Sequence, residues 1–190
     1  MTRYTHGAEL ILLDSSPFFR FCEGGQLLNL ASYLGQRAHI TLEVDGELRM
    51  RSATTHPELK TLDRLRWPPS ERRLELPAPL KQELLDILRA IQEPGDHPLK
   101  HAGEISTVLM GQHLGGKLIV LEDRDGKALA GRRGVPRMST AMLASEMVAT
   151  GAISEPEGYC VFDLATPPGI GKADWNAALQ RAQAVLPPTP

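Results

Sequence analysis

One stretch decides the fold: Glu9-Leu10-Ile11-Leu12-Leu13-Asp14-Ser15-Ser16-Pro17-Phe18-Phe19-Arg20-Phe21. It opens with an apolar run that is long enough for a buried strand and too short for a helix. The run ends on the carboxylate of Asp14. Two hydroxyl residues and a proline follow, which is typical of a helix start, and we expect Ser16 to cap that helix. A strand that leads directly into a helix places Asp14 at the carboxyl edge of a sheet, where ligands of α/β proteins bind.

Composition favours an ordinary globular domain. The chain has 190 residues, of which 42% are hydrophobic and 23% charged, and its formal net charge is −2. No apolar run approaches the length that spans a membrane, and the first residues lack the pattern of a signal peptide, so we expect a cytoplasmic protein with no membrane partner. The two cysteines, Cys22 and Cys160, show no metal-binding or redox spacing.

Apolar segments of strand length alternate with segments of helical periodicity along the chain. This alternation predicts an α/β fold with a central parallel sheet flanked by helices and right-handed crossovers. The predicted strands cover residues 9–13, 38–40, 117–121, 135–138 and 159–164. The predicted helices cover residues 17–23, 26–34, 42–50, 80–91, 103–114, 126–130, 139–150 and 173–185. Loops and a helical turn are expected over 57–79, and a disordered tail over 186–190.

Four carboxylates are candidates for one site. Asp14 and Asp123 each follow a predicted strand, so both are expected at the same edge of the sheet. Glu47 and Glu104 lie beside apolar residues in predicted helices, where an isolated charge is costly unless it is paired or bound to metal. Four carboxylates without an obvious basic partner indicate a hard divalent cation, Mg²⁺ or Mn²⁺. Taken singly, each acid is also explained as a helix-terminal or surface residue.

Positive charge is concentrated in two segments, which could follow phosphates or simply be solvated faces. Residues 49–73 contain seven basic and three acidic side chains, and residues 124–137 contain five basic and one acidic. His97 and His101 have the i, i+4 spacing of metal ligands on a helix, but Pro98 lies between them and no glutamate follows His97. We therefore interpret the two histidines as loop and helix-start residues.

The acidic segments resemble those of PIN-domain nucleases, which are metal-dependent ribonucleases that include VapC-type toxins. Four segments carry the resemblance: residues 11–16 around Asp14, residues 40–48 with Glu47 directly before a leucine, residues 103–109 with Glu104, and residues 118–123 with Glu122 and Asp123. Gly134-Val135-Pro136, followed by Ser139 and Thr140, resembles the last core strand of the family and its hydroxyl residue. The resemblance covers residues 8–154, and residues 155–190 form an extension of one strand, one helix and a tail.

This resemblance implies a PIN-like three-layer fold and a Mg²⁺- or Mn²⁺-dependent endoribonuclease, such as the toxin of a toxin–antitoxin pair. It implies that Asp14, Glu47, Glu104 and Asp123 bind metal, with Glu122 in addition. Ser16 and Thr140 would support the site. The implied partners are single-stranded or structured RNA, an antitoxin protein and further copies of the chain. RNA is expected to meet two pairs of arginines: Arg49 with Arg51, and Arg132 with Arg133.

The fourth segment departs from the family pattern. Leu121 stands where a threonine or serine is usual, and Glu122 stands where an aspartate is frequent. The metal ligand in this segment is therefore Glu122, Asp123 or both. The alternative function is that of a PIN-like binding or assembly module whose site is catalytically degenerate.

Overall fold

The computed structural model describes residues 4–5, 7–95, 97 and 99–186, and it has an α/β fold as predicted. Five parallel strands form one sheet in the order β3-β2-β1-β4-β5. The strands are β1 (Ile11–Leu13), β2 (Ala38–Thr41), β3 (Arg73–Leu74), β4 (Leu118–Val120) and β5 (Arg137–Met138). Leu12 of the central strand pairs with His39 of β2 on one side and with Ile119 of β4 on the other.

Ten helices flank the sheet in the described part of the chain. They are α1 (Ser15–Glu23), α2 (Leu27–Leu34), α3 (Leu42–Thr54), α4 (Lys60–Leu65), α5 (Ala78–Ile91), α6 (Ala102–His113), α7 (Arg124–Arg132), α8 (Thr140–Ala149), α9 (Glu155–Leu164) and α10 (Lys172–Val185). No helix among the described residues combines the length and the hydrophobicity needed to cross a membrane.

The sheet separates two apolar cores, because successive side chains of a strand point to opposite faces. Ile11 and Leu13 of β1 pack into a core with α1 to α4, α8 and α9. Leu12 packs on the other face, in a core with α5, α6 and α7. The central strand is therefore covered on both sides, which is consistent with a PIN-like three-layer fold.

Residues 159–164 were expected to form a strand, and this prediction is wrong because they lie in α9. Ser154 and Glu157 form a reciprocal capping box at the start of this helix, a strong local signal for a helix. Val161 and Phe162 are buried one turn after Gly158. A Cβ atom at Gly158 would lie 2.2 Å from a methyl carbon of Val148, so the glycine lets α9 pack tightly on α8.

The other differences are local. Ser16 does not cap α1, since Asp14 is the N-cap residue and the Ser16 hydroxyl donates to it. Strand β3 was missed because it has only two residues and lies in a segment rich in proline and charge. Of the tail that we expected to be disordered, Leu186 is buried at the end of α10, and residues 187–190 lie outside the described residues.

Candidate metal centre

Two of the four predicted acids lie at the carboxyl edge of the sheet, and both also cap a helix. Asp14 follows β1 directly, is almost fully buried and accepts a hydrogen bond from the Ser16 hydroxyl at 2.9 Å. Asp123 follows β4 and accepts from the backbone N–H groups of Asp125 and Gly126 at 2.6 and 3.2 Å. Because β1 and β4 are parallel neighbours, the two caps lie at the same edge of the sheet.

Glu47 reaches this edge from α3. Its Oε1 accepts a hydrogen bond from the backbone N–H of Gly103 at 3.3 Å, at the start of α6. The glycine is needed there, because a Cβ atom on residue 103 would lie 2.9 Å from both carboxylate oxygens of Glu47. Burial raises the pKa of Glu47, and the negative charge of Asp14 contributes in the same direction. Glu43, which lies one helical turn before Glu47, does not take part in these contacts.

Glu104 lies in the first turn of α6 and has a strongly raised pKa. The residue is 8% exposed, and its Oε1 forms a hydrogen bond with Nδ1 of His101. Oε2 is buried and has no hydrogen-bond donor among the described residues. Burial, followed by the proximity of Asp123, raises the pKa of Glu104 to about 9. At neutral pH Glu104 therefore holds a proton in the absence of metal, and it shares this proton with Asp123.

The four acids are close enough for the charge of one to change the pKa of another. Burial raises the pKa of Asp14, and the charge of Asp123 adds to this effect. Asp123 is the exception: burial alone would raise its pKa, but hydrogen bonds from Glu104 and from two backbone amides outweigh it and lower the pKa. In the described part of the chain, no lysine or arginine lies within ion-pair distance of any of the four, although His101 pairs with Glu104.

Glu122 and Thr140 form a supporting pair beside the cluster. The backbone N–H of Thr140, at the start of α8, donates to Oε1 of Glu122 at 2.5 Å. Burial raises the pKa of Glu122, and the charge of Lys127 opposes this effect. Thr140 is fully buried, so it fixes the Glu122 carboxylate next to Asp123. Within the described chain, the group with metal-ligand geometry contains Asp123 and not Glu122.

The structure separates the four predicted RNA-binding arginines into two kinds. Arg49 forms an ion pair with Asp45 at 2.8 Å, and Arg133 forms one with Glu83 at 2.5 Å. Arg51 and Arg132 instead line two different cavities, the first bordered by Glu47 and the second by Glu104. One arginine of each predicted pair therefore lies beside the candidate site, and the other is held in an ion pair.

The first of these cavities, the α1–α3 cavity, has a volume of about 550 Å³. Phe19 of α1 and Leu42, Met50 and Arg51 of α3 line it, and Ser15, Glu47 and His101 form the wall that it shares with the acidic site. The second, the α5–α7 cavity, has a volume of about 60 Å³ and lies between α5, α6 and α7, where Glu104 and Arg132 line it. His101 lines both cavities.

His101, which we interpreted from the sequence as a helix-start residue and not as a metal ligand, lies beside two of the acids. One ligand atom each from His101, Glu104 and Asp123 lies within 4.8 Å of the others, a spacing that could hold a metal ion. His101 starts α6, as expected, but it does so in a left-handed conformation with φ of 69°. This conformation brings its ring to Glu104, three residues later. The i, i+3 spacing of His101 and Glu104 was the one available signal.

The donor set fits a divalent cation. Carboxylate oxygens suit Mg²⁺ and Mn²⁺ alike, whereas an imidazole nitrogen favours a transition metal such as Mn²⁺ over Mg²⁺. The buried Oε2 of Glu104, which lacks a donor among the described residues, would gain a partner from a cation. Metal binding would also displace the proton of Glu104, because carboxylate ligands bind in their ionised form.

The site can thus be described from its own geometry: His101, Glu104 and Asp123 have metal-ligand spacing at the carboxyl edge of a parallel sheet. Asp14 and Glu47 act electrostatically on Glu104, but within the described chain they are not part of the group with metal-ligand spacing. Glu47 and Glu104 each pack against a glycine. A Cβ atom at Gly126 would lie 3.0 Å from Oε2 of Glu104, as one at Gly103 would crowd Glu47. Comparison of the chain with protein-family models, curated proteins and solved structures found no match.

Proposed function

We propose that the protein is a cytoplasmic, Mg²⁺- or Mn²⁺-dependent phosphodiester hydrolase that cleaves RNA. One observation carries the proposal: three carboxylates from separate segments, Asp14, Glu47 and Asp123, act electrostatically on Glu104, whose buried Oε2 has no donor in the described chain. Burying several carboxylates beside one another, with no lysine or arginine of the described chain within ion-pair distance, costs free energy. A site that a ligand completes accounts for this cost, and a cation is the ligand that carboxylates attract.

The residues divide into those that hold a cation and those that orient its ligands. Asp14, Glu47, Glu104 and Asp123 would hold it, and His101 would add a nitrogen ligand. A bound Mg²⁺ or Mn²⁺ supplies Lewis-acid chemistry, which activates water and neutralises charge on a phosphate. The chain itself fixes the acids through the Ser16 hydroxyl and the Gly103 amide, and Thr140 holds Glu122 beside them.

The positions of two arginines support RNA as the substrate. Arg51 and Arg132 line two different cavities, both of which also border His101. A strand passing over the acids would place phosphates near both side chains, and a guanidinium group binds a phosphate through two parallel hydrogen bonds. Arg49 and Arg133 are the matched controls, because each carries the same charge but is held by a carboxylate.

The test is cleavage of mixed RNA by purified protein. We expect no cleavage in EDTA, restoration by Mn²⁺, and a loss of at least about a hundredfold in Asp14→Asn, because one charged ligand is removed. Reversing Arg51 or Arg132 should flatten the salt dependence of RNA binding, and reversing Arg49 should not, because fewer counterions are released only when a phosphate contact is lost. Equal cleavage by Asp14→Asn and the parent would contradict the proposal.

A second function is favoured by one residue. Residue 121 is a leucine, so the fourth acidic segment lacks the hydroxyl that is usual in the family that it resembles. Its side chain is instead fully buried in the core with α5, α6 and α7. A binding or assembly module with a degenerate site would bind RNA and not cleave it under any of these conditions. A toxin with an antitoxin partner would instead arrest growth when it is expressed alone, and Asp14→Asn would not.

A further inference from the structure

His101 occupies the N-cap position of α6, but its side chain does not cap the helix. In the described part of the chain, its imidazole makes no capping hydrogen bond to the first turn. The ring instead bonds through Nδ1 to Oε1 of Glu104, and it belongs with Glu104 and Asp123 to the group with metal-ligand spacing. A role as a helix-start residue therefore explains the backbone position of His101 and leaves the position of its ring unexplained.

The backbone of His101 lies in the left-handed region, with φ of 69° and ψ of 2°. This conformation is uncommon for a residue other than glycine, because the Cβ atom then approaches the following carbonyl oxygen. Glycine would begin α6 at the same angles without that strain. Strained residues of this kind cluster at ligand sites, where the side chain has a function. The imidazole is therefore the reason for a histidine at this position.

The group has both a buried side and an accessible side. Glu104 is 8% exposed, and its Oε2 has no donor among the described residues. The side chain of His101 is 26% exposed, and it borders the α1–α3 cavity of about 550 Å³. A cation that enters this cavity can therefore reach the imidazole. The spacing of the ligand atoms then places the carboxylates of Glu104 and Asp123 within reach of the same cation.

We propose that His101 makes this site selective for first-row transition metals, such as Mn²⁺ and Co²⁺, over Mg²⁺. Mg²⁺ prefers oxygen ligands and gives up its water reluctantly, whereas imidazole nitrogen is a good ligand for transition metals. His101 is therefore the residue that determines which metal binds. The inference rests on the proposed function in taking this group as the cation site, and it narrows the choice between Mg²⁺ and Mn²⁺ to Mn²⁺.

The test measures metal binding by the full chain without RNA. In calorimetric titrations, the metal-free parent should bind Mn²⁺ at least about tenfold more tightly than Mg²⁺, and Co²⁺ more tightly still. His101→Asn should lose at least about tenfold in Co²⁺ affinity and about threefold or less in Mg²⁺ affinity, because a nitrogen ligand is removed. Asparagine is among the residues that most readily adopt the left-handed conformation, so the variant should fold.

The matched control is His97→Asn. His97 lines the same cavity, but within the described chain it is not in the group with metal-ligand spacing. This variant should keep all three affinities. Pulsed electron paramagnetic resonance of the Mn²⁺-loaded proteins identifies the ligand directly. The nitrogen hyperfine coupling of a bound imidazole should be present in the parent and in His97→Asn, and absent from His101→Asn.

Two outcomes would overturn the selectivity. One is equal affinity of the parent for Mg²⁺ and Mn²⁺, and the other is an equal loss of Mg²⁺ and Co²⁺ affinity in His101→Asn, which would make His101 a structural residue. If RNA is cleaved in Mn²⁺ while either outcome is found, the selectivity alone is refuted. Co²⁺ binding that depends on His101, without RNA cleavage in any metal, refutes the hydrolase alone. Binding of no cation would overturn both.

Discussion

Glu104 and Glu146 are both buried glutamates, and their surroundings are opposite. Glu146, in α8, is fully buried and accepts hydrogen bonds from the Thr5 backbone N–H, the Thr5 hydroxyl and the Tyr33 hydroxyl at 2.8, 2.7 and 3.0 Å. Glu104 has His101 on one oxygen and no donor for the other in the described chain. Burial of Glu104 raises its pKa to about 9.

The difference separates a structural acid from one that awaits a ligand. The donors around Glu146 tie the N-terminal segment to α2 and α8, and Arg37 strengthens the same junction by donating to the carbonyl groups of Thr5 and Tyr33. The neighbours of Glu104 are mostly other acids, so they raise the free energy of its ionised form. A buried carboxylate with a full set of donors stabilises the fold, and one surrounded by carboxylates indicates a cation site.

The largest expected effect is on the free energy of unfolding. The comparison predicts opposite outcomes when glutamate is replaced by glutamine at position 146 and at position 104. Glu146→Gln should lower the free energy of unfolding by about 3 kcal/mol, because the amide NH₂ faces hydroxyl and N–H donors and leaves at least one of them unsatisfied. Glu104→Gln should leave the metal-free protein as stable or more so, because the amide can donate to Asp123 as the protonated acid does.

Urea denaturation of both variants and the parent, in EDTA, measures these differences. The two variants carry the same chemical change, so each is the control of the other. A loss of 2 kcal/mol or more in Glu104→Gln would contradict the comparison, because it would make Glu104 a structural acid as well.

Two strands of the sheet could be predicted from the residues that directly follow them. The apolar runs of β1 and β4 are followed at once by acids and helix starts, so both the strands and the edge on which Asp14 and Asp123 lie could be predicted locally. The helices of the second half followed from their caps and glycines. The strand prediction for residues 159–164 is wrong because their β-branched and aromatic residues favour a strand locally. The capping box of Ser154 and Glu157, which starts a helix here, decides the structure.

Contacts of the site could be predicted only where the two residues lie close together in the sequence. The Asp45–Arg49 ion pair is an i, i+4 pair on a predicted helix, so the sequence could have set Arg49 apart from Arg51. The Glu83–Arg133 pair joins α5 to the end of α7, and no local pattern reports such a contact. The role of His101 depends on one left-handed backbone conformation, which a non-glycine residue rarely adopts.

The next effect concerns metal affinity, and it uses two glycines near Glu47. Gly103→Ala should push the Glu47 carboxylate away, because the new Cβ would lie 2.9 Å from both of its oxygens. Gly46→Ala is the matched control, since a Cβ there meets no atom within 4 Å. Both positions are helical, so alanine favours the backbone in each variant by up to about 1 kcal/mol.

Thermal melts with and without Mn²⁺ at fixed ionic strength measure this effect. At about ten times the dissociation constant, Mn²⁺ should stabilise the parent by about 1.4 kcal/mol, or roughly 3 to 6 °C in melting temperature for a chain of this size. Gly46→Ala should show the same shift, and Gly103→Ala less than half of it. Equal shifts in all three proteins would show that Glu47 is not a metal ligand.

The smallest effect is on the pH dependence of the metal-free protein. The folded state holds the Glu104 proton up to a pKa of about 9, whereas an unfolded glutamate loses it near 4.3. Between these values the folded state binds more protons, so stability falls as pH rises. Burial raises the pKa of Asp14, Glu47 and Glu122 as well, and these groups act in the same direction. The lowered pKa of Asp123 contributes a change only in acid.

The measurement is the free energy of unfolding of the parent and of Glu104→Gln from pH 6 to 8 in EDTA. One proton sets a ceiling of about 1.4 kcal/mol per pH unit. The parent should lose stability as pH rises, and Glu104→Gln should show a shallower slope, with a difference between the two slopes no larger than this ceiling. The difference between the two proteins isolates Glu104, because every other titratable residue is common to both. Parallel profiles would mean that Glu104 is ionised in the folded protein, and its buried oxygen would then have a donor after all.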